Sequence, residues 1–317
     1  MTPDSALPSE QEVLGYFERC SNWGRWGPDD QLGTLNHLTP AIRRDAAGLV
    51  RDGLSVTCAR RIPRALEEDF TVPPLHLMAS SGECFAGKAT EPDALQTATD
   101  YIGISCHGFA VTHLDALCHV FRDGKMCNGH SAERVTTAQG ATVHAVDEAR
   151  DGVVGRGVLL DIPALRGVPW LEPGDAVHPE DLERAEQAAG LRVSAGDVLL
   201  CRFGTVARRN ALGPSKEVFE RRAGLHASCV PWLHDREVAV LGSDSAQDLY
   251  PSGYRQLRAP VHQVGIVAMG LWLLDNCDLE PLADACRGAG RWAFLFTMGP
   301  LRMTNATGSP VNPIAVL

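Results

Sequence analysis

An α/β fold built as one domain over residues 1–317 is what this chain predicts, and three observations carry that expectation. Short apolar runs rich in Val, Ile and Leu alternate with helical patterns, the signature of mixed α/β architecture. No internal repeat or low-complexity tract divides the chain, and no shift in composition marks a boundary. A hydrophobic share of 44% with 21% charged residues is enough to build a sizeable core.

In chain order, residues up to about 50 read as an irregular N-terminal arm, followed by a predicted strand at Leu54–Cys58. The stretch 62–99 carries Pro63, Pro73, Pro74 and Pro92 with little periodicity, and reads as an irregular excursion, a lid or interface arm. Further strands are predicted at Tyr101–Cys106, Ala110–Asp115, Gly157–Ile162, Asp197–Phe203, Glu237–Ser243 and Trp292–Met298. The clearest helix is HPEDLERAEQAAG at 178–190. Pro179 suits its first turn, Glu180 and Asp181 complement the macrodipole, and Gly190 closes it. Shorter helices are expected at Lys216–Ala223 and His226–Asp235, the second carrying Pro231.

The balance of 29 Lys+Arg against 39 Asp+Glu gives a net charge of −10, which argues against a nucleic-acid partner. No apolar run approaches the length of a spanning helix, so no membrane partner is expected. The first residues lack the basic and apolar regions of a signal peptide. The ten cysteines are scattered without a C-x-x-C pair, as in a reduced, cytoplasmic protein. GECFAGKA at 82–89 mimics a phosphate-cradling loop, but Ala89 stands where the magnesium-holding hydroxyl belongs and Pro92 interrupts a following helix. GRG at 155–157 lacks the third glycine of a dinucleotide loop, and no G-x-S-x-G elbow occurs.

Chemistry concentrates in residues 106–124, CHGFAVTHLDALCHVFRDG, where three of the chain's 11 histidines fall. On a strand, side chains two apart share a face, so His113 and Asp115 point the same way with Cα atoms about 7 Å apart, close enough to share one divalent ion. Leu114 between them faces the core. His119 lies one helical turn beyond Asp115 if the chain coils there. His107 would sit roughly 20 Å from His113 on a straight strand, so it joins the group only if the backbone bends, and Gly108 permits a bend. Imidazole and carboxylate donors without a thiolate pair suit Zn²⁺, Mn²⁺ or Fe²⁺ in an open coordination sphere. Each histidine taken singly is better explained by a hydrogen bond to a carbonyl; H-x-D-x-x-x-H as a unit points to a site.

THLDALCH resembles the T-H-x-D-x-P-x-H signature of the metal-dependent cyclase family, which includes kynurenine formamidase and isatin hydrolase. NWGRWGPDDQLGTLN at 22–36 is similar to the opening of its longer members. HQVGIVAMGLWLLDNCDL at 262–279 and ATGSPVNPIAVL at 306–317 resemble its H…E-N-L stretch and final strand. The resemblance implies a swivelling β/β/α fold, a homodimer or homotetramer, and a divalent metal, Mn²⁺ or Zn²⁺. It assigns His113 and Asp115 as ligands, His119 as the catalytic histidine, and His262 and Asp275 to a second ion, Asp275 standing where the family places glutamate. Two positions depart from the formamidase pattern: Phe109 replaces its H-x-G-T-H ligand, with His107 two residues earlier, and Leu117 replaces the proline.

The expected activity is metal-dependent hydrolysis of an amide or lactone bond in a small, cyclic or aromatic substrate by metal-activated water. His119 would serve as general base and then acid. Trp23, Trp26, Phe85 and Phe109 are candidates for an aromatic pocket, although ordinary packing explains them equally. Two alternatives share the residues: a metal-dependent dehydratase or cyclase, and a relative that binds a small molecule without turnover.

Overall fold

A computed structural model describes residues 7–88 and 94–317. Nine strands form its main sheet: β1 (Ser55–Thr57), β2 (His113–Asp115), β3 (Val153–Asp161), β4 (Val198–Arg202), β5 (Val240–Ser243), β6 (Trp272–Asp275), β7 (Ala293–Met298), β8 (Gly308–Pro310) and β9 (Ile314–Val316). They lie in the order β1-β9-β7-β3-β4-β5-β6-β2-β8. The central four, β3 to β6, run parallel, and the strands on either flank join antiparallel. Strands β4, β5 and β6 are buried along their whole length, which is why they read as continuous apolar runs rather than alternating ones.

The helix Pro179–Ala189 forms as expected, with Gly190 closing it at φ 64°. Leu182 and Ala185 bury its inner face. Over the expected helix Lys216–Ala223 the chain makes only a 3₁₀ turn, Lys216–Phe219. Helical bonding cannot continue because the Arg222 amide donates to Tyr250 O at 2.8 Å instead. The next helix starts late, at Cys229, which puts Pro231 in its first turn, where a missing N–H costs nothing.

Two segments expected to be irregular carry structure. The arm before residue 50 contains helices Glu10–Arg19 and Pro40–Ala47, the first opened by a Ser9–Glu12 capping box and seated through Val13 and Tyr16. Within the excursion, Leu75–Ser80 pairs antiparallel with Thr99–Gly103. This two-stranded ribbon exposes Leu75, Leu77, Met78, Tyr101 and Ile102. Gly82–Cys84 forms a 3₁₀ turn rather than a phosphate loop, while Ala89 and Pro92 lie outside the described residues. Among the described residues, no helix is long and apolar enough to cross a membrane.

Candidate metal centre

Strand β2 is three residues long and sits between β6 and β8 near one edge of the sheet. Its alternation does what the sequence predicts: Leu114 is fully buried in the core, while His113 and Asp115 share the other face. Antiparallel pairing sets Asp275 of β6 directly opposite His113, and Gly308 of β8 directly opposite Asp115. Register thus brings a second carboxylate alongside the first pair from 160 positions further along the chain (275 − 115).

The expected strand over Ala110–Asp115 is confined to its last three residues, and the backbone before it folds back. Gly108 makes the turn at φ 134°, a conformation that L side chains rarely adopt. Asn276 fixes the fold-back. Its Nδ2 donates to Gly108 O at 2.7 Å, and its carbonyl accepts from Thr112 Oγ1 at 2.6 Å. His107 therefore reaches the site over a loop, through the bend at Gly108 that its distance required. Space for it comes from β8: a Cβ on Gly308 would lie 2.6 Å from His107 Cε1.

Four imidazoles surround Asp115, which is 1% exposed. His107 Nδ1 lies 2.9 Å and His113 Nε2 3.4 Å from its Oδ1. His262 Nε2 lies 3.6 Å and His119 Nε2 3.9 Å from its Oδ2. His262 Nε2 also lies 3.4 Å from Asp275 Oδ2. Hydrogen bonds on the far side of each ring assign which nitrogen turns inward. His113 Nδ1 donates to Val111 O at 2.8 Å, and His262 Nδ1 donates to Asp248 Oδ2 at 2.5 Å. His107 Nε2 pairs with Thr307 Oγ1 at 3.1 Å. His113 and His262 thus turn an Nε2 lone pair toward Asp115, and His107 does the same at Nδ1 in the tautomer whose Nε2 donates to Thr307.

This arrangement suits a cation better than a set of internal hydrogen bonds. His107 Nδ1 and Asp115 Oδ1 are close but misaligned, and both are buried atoms without a hydrogen-bond partner. Unsatisfied buried donors and acceptors are costly. Among the described residues, two sets of three donors have ligand atoms within 4.8 Å of one another: His107, His113 and Asp115, and then Asp115, His262 and Asp275. Asp115 belongs to both, as a bridging carboxylate would.

The electrostatics agree. Burial alone would push the Asp115 carboxyl up, but His113, His107 and His262 overrule it and hold it well below the usual carboxylate range. Burial opposes charge on His113, yet Asp115 raises it to about 9. Burial likewise opposes charge on His262, and Asp275, Asp115 and Asp248 hold it well above its ordinary value. The carboxylates demand positive charge, which protons or a divalent ion on the same lone pairs can supply.

His119 differs from the others. Its ring stacks on His107 at 4.0 Å and stays partly open to the cleft, and it belongs to neither donor set. Burial pushes it below its ordinary value, with Asp115 only partly opposing. It is therefore neutral near pH 7 and able to accept a proton.

Of the four aromatic candidates, only Phe109 lines the open cleft of ≈ 750 Å³ over these residues. Trp23 donates to Val267 O at 2.7 Å, with its ring against Gly129. Trp26 packs edge-on to His37, and Phe85 follows the 3₁₀ turn beyond the ribbon. Asp248, Gln247 and Arg222 were not anticipated. Gln247 Nε2 holds Asp275 Oδ1 at 3.0 Å, and Asp248 also accepts from Val261 N at 2.7 Å. The signal was present in GSDSAQD, polar residues directly after the strand predicted at Glu237–Ser243. Asp248 completes a carboxylate–histidine pair behind the donor set, so Asp248→Asn is expected to weaken metal binding by about 10–100-fold. Competition against a chromogenic chelator measures this, and an unchanged affinity would show that Asp248 does not orient His262.

A β2 carboxylate and imidazole facing a carboxylate from β6, with a further histidine outside the donor sets, describe an α/β protein with a candidate metal centre. The Cyclase family model matches residues 39–247, and the chain belongs to that family. A crystal structure described as a novel cyclase is 31% identical, with a TM-score of 0.85 over 94% of this chain and 99% of that one. Isatin hydrolase A from Labrenzia aggregata, bound to benzyl benzoate, is 19% identical, with a TM-score of 0.58 over 89% of this chain and 98% of its own. An isatin hydrolase bound to the product analogue thioisatinate gives 14% and 0.57, with 89% and 98% covered. The two isatin hydrolases share the fold. A search of curated proteins returned no match.

Proposed function

We propose that the protein is a metal-dependent hydrolase that cleaves an amide or lactone bond in a small, cyclic or aromatic molecule. The observation that carries this reading is the convergence of His107, His113 and His262 on buried Asp115, with His119 outside the donor sets and exposed to the cleft. His107, His113 and Asp115 would hold one ion, and Asp115, His262 and Asp275 a second. Mn²⁺ and Zn²⁺ both suit the donors. When bound, the ion supplies water activation and polarises the scissile carbonyl. His119 takes the proton from the attacking water and returns it to the leaving nitrogen or oxygen. Asp275, one carbon shorter than the glutamate usual in the family, still reaches the site because Gln247 turns it inward. The isatin hydrolases among the structural neighbours support the choice of a cyclic amide as first substrate to try.

The purified chain is expected to carry stoichiometric metal and to hydrolyse a member of a panel of N-formyl anilines, isatins and lactones. Ring opening of an isatin or lactone should give one product about 18 Da heavier than the substrate, the mass of one water, whereas an N-formyl aniline should give formate and the free amine. Loss of about 18 Da instead would identify a dehydration. A chain that holds no metal and is indifferent to chelators would overturn the proposal.

A further inference from the structure

Most arginines around the cleft are already paired. Arg60 lies 3.8 Å from Asp69 and donates to Phe109 O at 2.7 Å. Arg208 is paired with Glu172 and Glu217, and Arg209 with Glu67 and Asp69. Arg222 is different. It stands on the wall shared by the metal cleft and a small adjoining cavity of ≈ 70 Å³. Among the described residues no carboxylate lies within ion-pair distance of it. Asp248 and Asp275 are the acids that face it, and they are engaged by His262 and Gln247.

The guanidinium is nonetheless held in place. Its carbon lies 4.6 Å from the ring centroid of Phe109 and 4.6 Å from that of Tyr250. Backbone pairing fixes the second contact, since Arg222 N donates to Tyr250 O at 2.8 Å and Tyr250 N to Arg222 O at 3.1 Å. Nη1 donates to Val218 O at 2.5 Å. Nε is a buried donor with no partner, and Nη2 makes no hydrogen bond among the described residues. Nε and Nη2 together form one complete edge of the guanidinium fork, the edge that grips a carboxylate with two parallel hydrogen bonds. A cation ordered by two aromatic rings loses little further freedom when it binds. Three carboxylates (Asp115, Asp248, Asp275) and Arg222 sum to two negative charges, which one divalent ion cancels and two ions reverse, so an anionic ligand enters without net repulsion.

We propose that Arg222 is a specificity-determining residue that grips a carboxylate in the metal cleft. The carboxylate is either one the substrate already carries or the one that hydrolysis sets free. This rests on the hydrolase reading for its biological meaning, but its test requires no turnover. Calorimetric titration of the Mn²⁺-loaded protein would compare benzoate, 3-carbamoylbenzoate and neutral benzamide. Both anions are expected to bind about tenfold more tightly than benzamide, as a charge-assisted pair supplies. Arg222→Gln should remove that preference while leaving benzamide affinity, metal content and melting temperature unchanged. Arg222→Lys, which keeps the charge without the fork, should restore only part of it. Loss of preference for 3-carbamoylbenzoate identifies a substrate-borne carboxylate. If that compound binds wild type no better than benzamide, and benzoate alone loses affinity in the variant, the carboxylate is the one freed by hydrolysis. The inference is overturned if neither anion is preferred, if the preference survives Arg222→Gln, or if all three probes weaken together with the melting temperature. A benzoate preference in a protein that hydrolyses nothing would sink the enzymatic reading and leave this one standing.

Discussion

Asp115→Asn is expected to strip the protein of metal at both positions and lower turnover by at least about 10³-fold, since it removes the carboxylate common to the two donor sets. The amide keeps the shape of the side chain but cannot offer an anionic oxygen to both sides. It also leaves the inward nitrogens of His107, His113 and His262 without the charge they converge on. Because Asp115 sits on a short strand paired on both sides, the sheet itself should survive, and far-ultraviolet circular dichroism should match the wild type. Elemental analysis after dialysis reads the outcome. A variant that retains stoichiometric metal would show that Asp115 is not the ligand on which both sets depend.

The second large effect is expected at His119. Replacement by Ala should lower kcat by about 10²–10⁴-fold, the usual contribution of a general acid–base group, while metal content stays at the wild-type level because His119 lies outside both donor sets. This separates it from Asp115, whose loss removes metal and rate together. The wild-type pH profile gives an independent reading. His119 works as a base in its neutral form, and burial lowers its pKa, so with metal kept saturating against proton competition at His113 and His262, activity should persist below pH 6.5 and fall as more acid protonates the ring. Turnover that survives His119→Ala unchanged would remove the residue from the mechanism.

What the sequence revealed about the site was what local geometry controls. His113 and Asp115 are two apart on a strand, and period two put them on one face with Leu114 in the core. His107 could be judged only conditionally, because its distance depended on whether Gly108 bent the chain. His262 and Asp275 came from the family resemblance, and pairing between β2 and β6 explains how they arrive. Asp248 and Arg222 were missed for a different reason. Their roles come from contacts made across the fold, Asp248 with His262 and Arg222 with rings at 109 and 250, and no local period encodes those. The N-terminal helices were missed although SEQE at 9–12 spells a capping box. Strands β4 and β5 were the most legible part, since burial on both faces leaves an apolar run that few other structures explain, whereas β6, buried as fully, was not predicted as a strand.

Residue 308 offers no donor, charge or ring, so a survey of chemically active side chains would pass over it. Yet a single methyl group there would press on the imidazole at 107 and on Leu114 O, 2.8 Å away, tilting one wall of the cleft outward. The centre is thus defined as much by how small one strand position is as by what its neighbours can bind, and tolerance to substitution at 308 should track the imidazole's freedom to lean rather than any chemistry of its own.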